Sequence, residues 1–354
     1  MRRLLKLAGL LLAVRLVGCS ACVAVDDAES RYRYVLNELK SSSPGDGMIP
    51  GEWYLVSLSM AGLAAKNLGH TEDLAWLTRR ALDREVRAFD TEAWKTDALE
   101  TLDTAEGHAG YLGHLGLLLA LECGEANAEL RHRVLGALER RYASSPTRLI
   151  ETYPRMTWIP DNAVTLAAVA VGARCDGRDV PAREWLAAWP RDEATGLLRF
   201  TPQSKAPRAS GAGWNSVYLH LVDAAAAREQ YALAERTFLF DDVPGLAAWR
   251  EYPRGIDGPG DVDSGPLVFG LSPSGTGFAL AGATLYGSKA RGGMLRTAEV
   301  AGLTVPWGGL HYLFAPLVGD AAVLAAKTMP PALTPPGLAD YRCLQCAPRS
   351  SSCV

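Results

Sequence analysis

The residues of this chain best suited to proton transfer are His114, Asp161 and Asp263. Each stands at or just inside the start of an apolar run: GHLGLLLAL from Gly113, DNAVTLAAVAV from Asp161 and DSGPLVFG from Asp263. Carboxyl and imidazole groups that meet in a poorly hydrated space can trade protons with a substrate. Aromatic and polar side chains cluster in sequence around the same openings, and they form the expected substrate-binding set: Trp53, Tyr111, Tyr153, Trp158, Asn162, Trp214, Tyr218, Tyr252, Asp261 and His311. Aromatic walls with few polar groups suit a small, partly apolar or hydroxylated ligand. Plainer roles compete. Asp161 and Asp263 could cap their own helices, His114 could be a satisfied core residue, and each Trp or Tyr could simply pack. The Gly-rich run GIDGPGDVDSG (Gly255–Gly265) lacks the Lys and preceding strand of a phosphate loop, and its acids do not have EF-hand spacing. No metal and no cofactor are expected.

Positioning such groups falls to a repeat. Six segments open on polar or aromatic residues and continue as helices rich in Ala, Gly, Leu and Val, beginning near Trp53, Gly107, Asp161, Gly213, Asp263 and Gly309. Their spacing of about 45 to 55 residues lies in the range of repeat architectures. Between them lie charged amphipathic helices over Ala28–Lys40, Thr71–Phe89, Asn127–Tyr142, Val180–Trp189, Arg228–Phe240 and Lys289–Val300. Helices apolar all round are buried and one-sided helices face solvent. The alternation predicts an all-α fold: a single (α/α)6 barrel, a toroid of six helical hairpins, over 19–328. Strand signals are scarce, and Leu197–Thr201 is at most one arm of a small hairpin.

Connections from inner to outer helices are short, whereas those from outer to inner are mostly long, as in Asp90–Glu106, Ala143–Pro160 and Asp241–Val262. Long loops in a compact domain are usually functional. They place the site at the N-terminal ends of the inner helices.

The N-terminus speaks to compartment. A basic start (Arg2, Arg3, Lys6) and a short apolar run end at Leu16-Val17-Gly18-Cys19. This reads as a lipoprotein signal over 1–18 with Cys19 as the lipidated residue, so the protein is expected in the cell envelope, membrane-bound by that anchor. Ordinary signal cleavage near Ala24 is the alternative. A mild net charge of −3 and no basic tract argue against nucleic acid as a partner. Residues 329–354 form a Pro- and Cys-rich tail in which Cys343, Cys346 and Cys353 read as a structural staple. A bridge between Cys123 and Cys175, at the same end of neighbouring inner helices, is conceivable.

Four segments resemble successive parts of the linalool dehydratase/isomerase family: GYLGHLGLLLAL (Gly110–Leu121), MTWIPDNAVTLAAVAV (Met156–Val171), REWLAAWPRDEATGLLRF (Arg183–Phe200) and GWNSVYLHLVDAAAAREQYALAERTFL (Gly213–Leu239). The resemblance runs from Trp53 to Gly302. It implies an (α/α)6 barrel and acid/base chemistry on an alcohol, with the family's functional His at His114. The family's two functional cysteines are replaced here by Thr152 and Asp161, which implies altered chemistry. The expected function is therefore lyase- or isomerase-like acid/base catalysis on a small alcohol. A glycoside hydrolase or polysaccharide lyase acting on a saccharide is one alternative. A non-catalytic cell-envelope lipoprotein that binds a ligand or partner is the other.

Overall fold

The computed structural model describes residues 27–45 and 51–330. Cys19, the signal segment and the tail cysteines lie outside the described residues. The protein is mostly helical. Its apolar helices are α2 (Glu52–Leu68), α5 (Ala109–Glu122), α7 (Ile159–Cys175), α9 (Ala209–Tyr218), α11 (Pro273–Tyr286) and α13 (Leu317–Thr328). Each packs on the next in this order, and α13 packs back on α2. Small residues permit the closest approaches. A Cβ on Gly213 of α9 would lie 2.8 Å from the carbonyl oxygen of Gly275 in α11. Almost every side chain of α5 and α7 is buried, as helices without a polar face require.

Amphipathic helices flank them. These are α1 (Ala28–Ser41), α3 (Thr71–Ala81), α4 (Arg84–Trp94), α6 (Ala128–Ser144), α8 (Ala182–Ala187), α10 (Ala224–Phe238) and α12 (Arg291–Gly302). α1 bridges α13 and α2, α3 bridges α2 and α5, α6 bridges α5 and α7, and α10 bridges α9 and α11. Their apolar sides join one continuous core with the inner helices.

Several expected boundaries are revised. The span Thr71–Phe89 is two helices, because Asp83 adopts an extended backbone and breaks the run. The fifth apolar segment becomes helical only at Pro273, where Ser272 is the N-cap and accepts a hydrogen bond from the Gly275 N–H at 3.0 Å. Asp263 therefore caps nothing and sits in a loop. The sixth begins at Leu317. The stretch near Gly309 is instead an antiparallel hairpin of β3 (Thr304–Val305) and β4 (His311–Tyr312), with Gly309 at φ 131° against the backbone of α1. A second two-stranded pair, β1 (Leu239–Phe240) with β2 (Ala248–Trp249), opens the loop before α11. Leu197–Thr201 forms only an isolated bridge, Arg191 to Leu198.

Cys123 and Cys175 are disulfide-bonded, with Cα atoms 5.9 Å apart. They join the C-terminal ends of α5 and α7, opposite the end where the long loops gather. No helix among the described residues is long and apolar enough to cross a membrane.

Candidate active site

One pocket opens at the N-terminal ends of the inner helices. It brings Glu52, His114, Asp161 and Asp263 together with Trp53, Trp158, Phe200 and Trp214.

His114 forms the floor. It lies in the second turn of α5 and is 2% exposed. Ser59 Oγ of α2 is 2.6 Å from its Nδ1 and 3.0 Å from the Val56 carbonyl oxygen. With the Ser59 hydroxyl donating to that carbonyl, Nδ1–H donates to Oγ, and Nε2 is left with a lone pair for a ligand. Burial pushes the imidazole down to about 3, so it is neutral across the physiological range. Trp214 and Tyr218 meet its ring edge-on at 5.7 and 6.2 Å.

Asp161 sits in the first turn of α7, where Trp158 is the N-cap residue and Pro160 occupies the opening positions. It is not a cap. Thr152, fully buried, accepts the Trp158 N–H at 3.2 Å and hydrogen-bonds the Asp161 carboxyl. Oδ2 of Asp161 is buried without a protein partner. A helix N-terminus favours an ionised carboxylate, but burial outweighs it here. Burial, followed by repulsion from Glu52 and Asp263, holds the carboxyl well above the usual range.

Glu52 opens α2 after Gly51, whose φ of 84° and tight approach to the Val86 carbonyl admit no side chain. Burial raises the Glu52 carboxyl to about 7 against a hydrogen bond from Tyr153 that lowers it. Asp263 is raised to about 6, again mainly by burial, with repulsion from Asp261 and Glu251 and relief from Arg208. Its loop is tied down by Asp261, whose Oδ1 accepts the Asp263 and Ser264 N–H groups at 3.1 and 3.0 Å. Asp261 in turn takes Arg208 with both oxygens at 2.7 Å. Arg208 also grips the fully buried Glu251 at 2.6 Å, and Glu251 accepts the hydroxyl of the pocket residue Ser210 at 2.7 Å.

Of the expected ligand-contacting residues, Trp53, Trp158 and Trp214 line the pocket. Tyr153 stands just outside, edge-on to Trp158 at 5.8 Å, and Tyr218 lies below His114. The others do not line it. Tyr111 is buried and donates its hydroxyl to the Ala81 carbonyl at 3.1 Å. Asn162 is fully buried and clasps the Ile150 peptide, accepting its N–H at 2.8 Å and donating to its carbonyl at 2.9 Å. Tyr252 bonds the Pro259 carbonyl at 3.0 Å. Asp261 braces a loop, as above. His311 stacks on Tyr34 of α1 at 3.9 Å, because its segment is a strand of the hairpin and not an inner helix. Ser59 and Ser210 entered no sequence-based list, and Thr152 was marked only by the resemblance. Ser59 carried a faint signal, as one of two hydroxyls, with Ser57, in the apolar middle of its helix.

Among the described residues, no group of three or more His, Cys, Asp and Glu side chains is disposed to hold a metal ion. Compared with known proteins, the chain matches no family model and no curated sequence.

Proposed function

We infer that the chain is an exported enzyme with an (α/α)6 barrel that performs general acid/base chemistry, lyase- or isomerase-like, on a small, partly apolar alcohol. The observation that carries this reading is the meeting of Asp161 and Glu52 in one pocket in different surroundings, Asp161 buried with its Oδ2 unpartnered and Glu52 hydrogen-bonded by Tyr153. Environments that push two carboxyls apart divide them into acid and base. Asp161, whose carboxyl burial holds well above the usual range, gives its proton to the substrate hydroxyl as the C–O bond breaks and water leaves. Glu52, in its ionised fraction, takes a proton from the neighbouring carbon as the double bond forms. Return of that proton from Glu52 to Asp161 resets the site. Nε2 of His114 orients the hydroxyl by accepting its hydrogen bond before transfer, and Asp263 assists at the rim.

Other features support parts of this reading. The cyclic packing of six apolar helices within an amphipathic set favours the barrel. His114, which matches the functional His of the linalool dehydratase/isomerase family, lines this pocket with Asp161, one of the two residues that replace the family's cysteines, and Thr152, the other, hydrogen-bonds Asp161. A disulfide belongs to oxidising compartments, which agrees with export and with a lipid anchor at Cys19.

The test is turnover of a panel of small alcohols by the purified protein, with alkene formation followed by gas chromatography. Asp161→Asn should lower the rate by roughly a hundred-fold or more. Wild-type rates should rise with pH through about 7 as Glu52 ionises, and Glu52→Gln should remove that limb. An unchanged rate in Asp161→Asn overturns the mechanism. Cleavage of oligosaccharides in place of alcohols, with the same dependence on Asp161, transfers the site to the glycosidase alternative.

A further inference from the structure

Most buried acids elsewhere among the described residues meet a base at close range, Asp320 being the exception with Arg31 only at 3.8 Å. Asp27 pairs with Arg31 and Lys327 at 2.7 and 2.5 Å, Glu299 with Arg31 at 2.7 Å, and Glu251 with Arg208 at 2.6 Å. Asp90 pairs with His108 at 2.7 Å, and Asp176 with Arg131 at 3.0 Å. The carboxyls of the pocket break this pattern. No cation acts on Glu52 or Asp161, and the one that reaches Asp263, Arg208, is already held by Glu251 and Asp261. No Lys or Arg lines the pocket.

The walls between these acids are aromatic. Trp53 and Trp214 stand almost perpendicular, at 77° with centroids 6.3 Å apart, and Trp158 and Phe200 add a tilted pair at 6.4 Å. Ring faces attract positive charge, so an aromatic lining suits an ammonium head, although one face of Phe200 is already covered by the Arg208 guanidinium at 4.5 Å. A neutral alcohol offers these acids hydrogen bonds but no counter-charge. A cation would meet both the rings and the carboxylates. Trp53, Trp158 and Trp214 in the lining point to an organic cation, which ring faces bind.

We propose that the pocket is an organic-cation site, taking a small ligand with a quaternary or protonated amine head. The charge requirement stands on the pocket alone. That the ligand also carries a hydroxyl, and so is an amino alcohol, rests on the acid/base reading above.

Binding of choline to the full chain, compared with its uncharged carbon isostere 3,3-dimethylbutan-1-ol, tests this without any turnover. Tryptophan fluorescence and calorimetry both report it, because Trp53, Trp158 and Trp214 form the wall. At pH 8 choline should bind at least about ten-fold more tightly than the isostere. That preference should shrink toward pH 5. The titrating groups that face the head are Glu52 of α2, Asp161 of α7 and Asp263 before α11, above His114 of α5, with Tyr153, Asp90, Asp261, Glu251 and Arg208 behind them. The double variant Glu52→Gln/Asp263→Asn should lose the preference for choline over the isostere, its melting curve confirming that it folds. The proposal is overturned if the isostere binds as tightly as choline, if neither binds, or if the preference survives in the double variant. Choline binding with no alcohol turned over leaves the cation site and removes the acid/base reading. Turnover of neutral alcohols without choline binding does the reverse.

Discussion

The bond between Cys123 and Cys175 gives a stability change whose size follows from the chain itself. The cysteines are 52 residues apart, and cross-linking a loop of that length removes unfolded-state entropy worth about 4 kcal/mol at 25 °C. The native side of the balance changes little. Cys123 is exposed at the C-cap of α5, and Cys175 is the half-buried last residue of α7, so serines leave no sizeable cavity at either place. The contact of α5 with α7 runs the length of both helices and does not depend on the bridge. Cys123→Ser/Cys175→Ser should therefore lose about 4 kcal/mol, a fall in melting temperature of about 8 °C for a domain of this size. The urea m-value should rise, because the uncrosslinked chain exposes more surface when unfolded. Calorimetry and urea titration of the oxidised protein, the reduced protein and the double variant provide the assay, with the last two coinciding. A loss below about 1 kcal/mol, or an unchanged m-value, would refute the loop-entropy account. The pocket lies at the other end of the helices, so choline affinity should not change.

Two further predictions concern the acids around the pocket. Glu52 has a folded-state affinity raised from 4.5 to about 7, so the native state holds its proton over that interval while the unfolded chain has released it. Stability contributed at low pH is lost as pH rises through about 7. Glu52→Gln should thus be more stable than wild type by about 1 kcal/mol at pH 8, after allowance for partial exposure, and no different near pH 4 in thermal melts. Arg208→Met should destabilise by about 3 to 5 kcal/mol, because it leaves Glu251 buried without its cation. Adding Glu251→Gln should recover part of the loss, and a double-mutant cycle in urea measures how much.

The sequence disclosed periodicity better than boundaries. α2, α5 and α7 announced themselves because their residues are apolar on every side and begin after recognisable openings. The fifth and sixth apolar helices begin ten and eight residues later than expected. In both, Gly- and Pro-bearing stretches contained enough Leu, Val and Phe to imitate helix, and only tertiary contacts make them loop or hairpin. The same ambiguity misplaced His311. Spacing did bring His114, Asp161 and Asp263 to one end, since each lies near the N-terminal end of an inner helix. It said nothing of Ser59 or Thr152, whose importance comes from the side chain they touch across the fold. Nor could it separate Tyr111 and Asn162 from pocket residues, because direction around a helix buried on all faces leaves no trace in hydropathy.

The first and last described helices are held together at their ends. Lys327 of α13 meets Asp27 at 2.5 Å, and Arg31 of α1 reaches Asp27 and Glu299 at 2.7 Å. The cyclic order of packing among the six apolar helices is thus closed by side-chain bonds as well as by helix contact. Such a closed circuit has no obligatory beginning. A chain joined by a short linker between residues 328 and 27, and opened at the exposed turn after Gly177, retains every inner-helix neighbour and every loop at the mouth. Folding order, unlike the folded shape, would then be free to start from a different pair of hairpins.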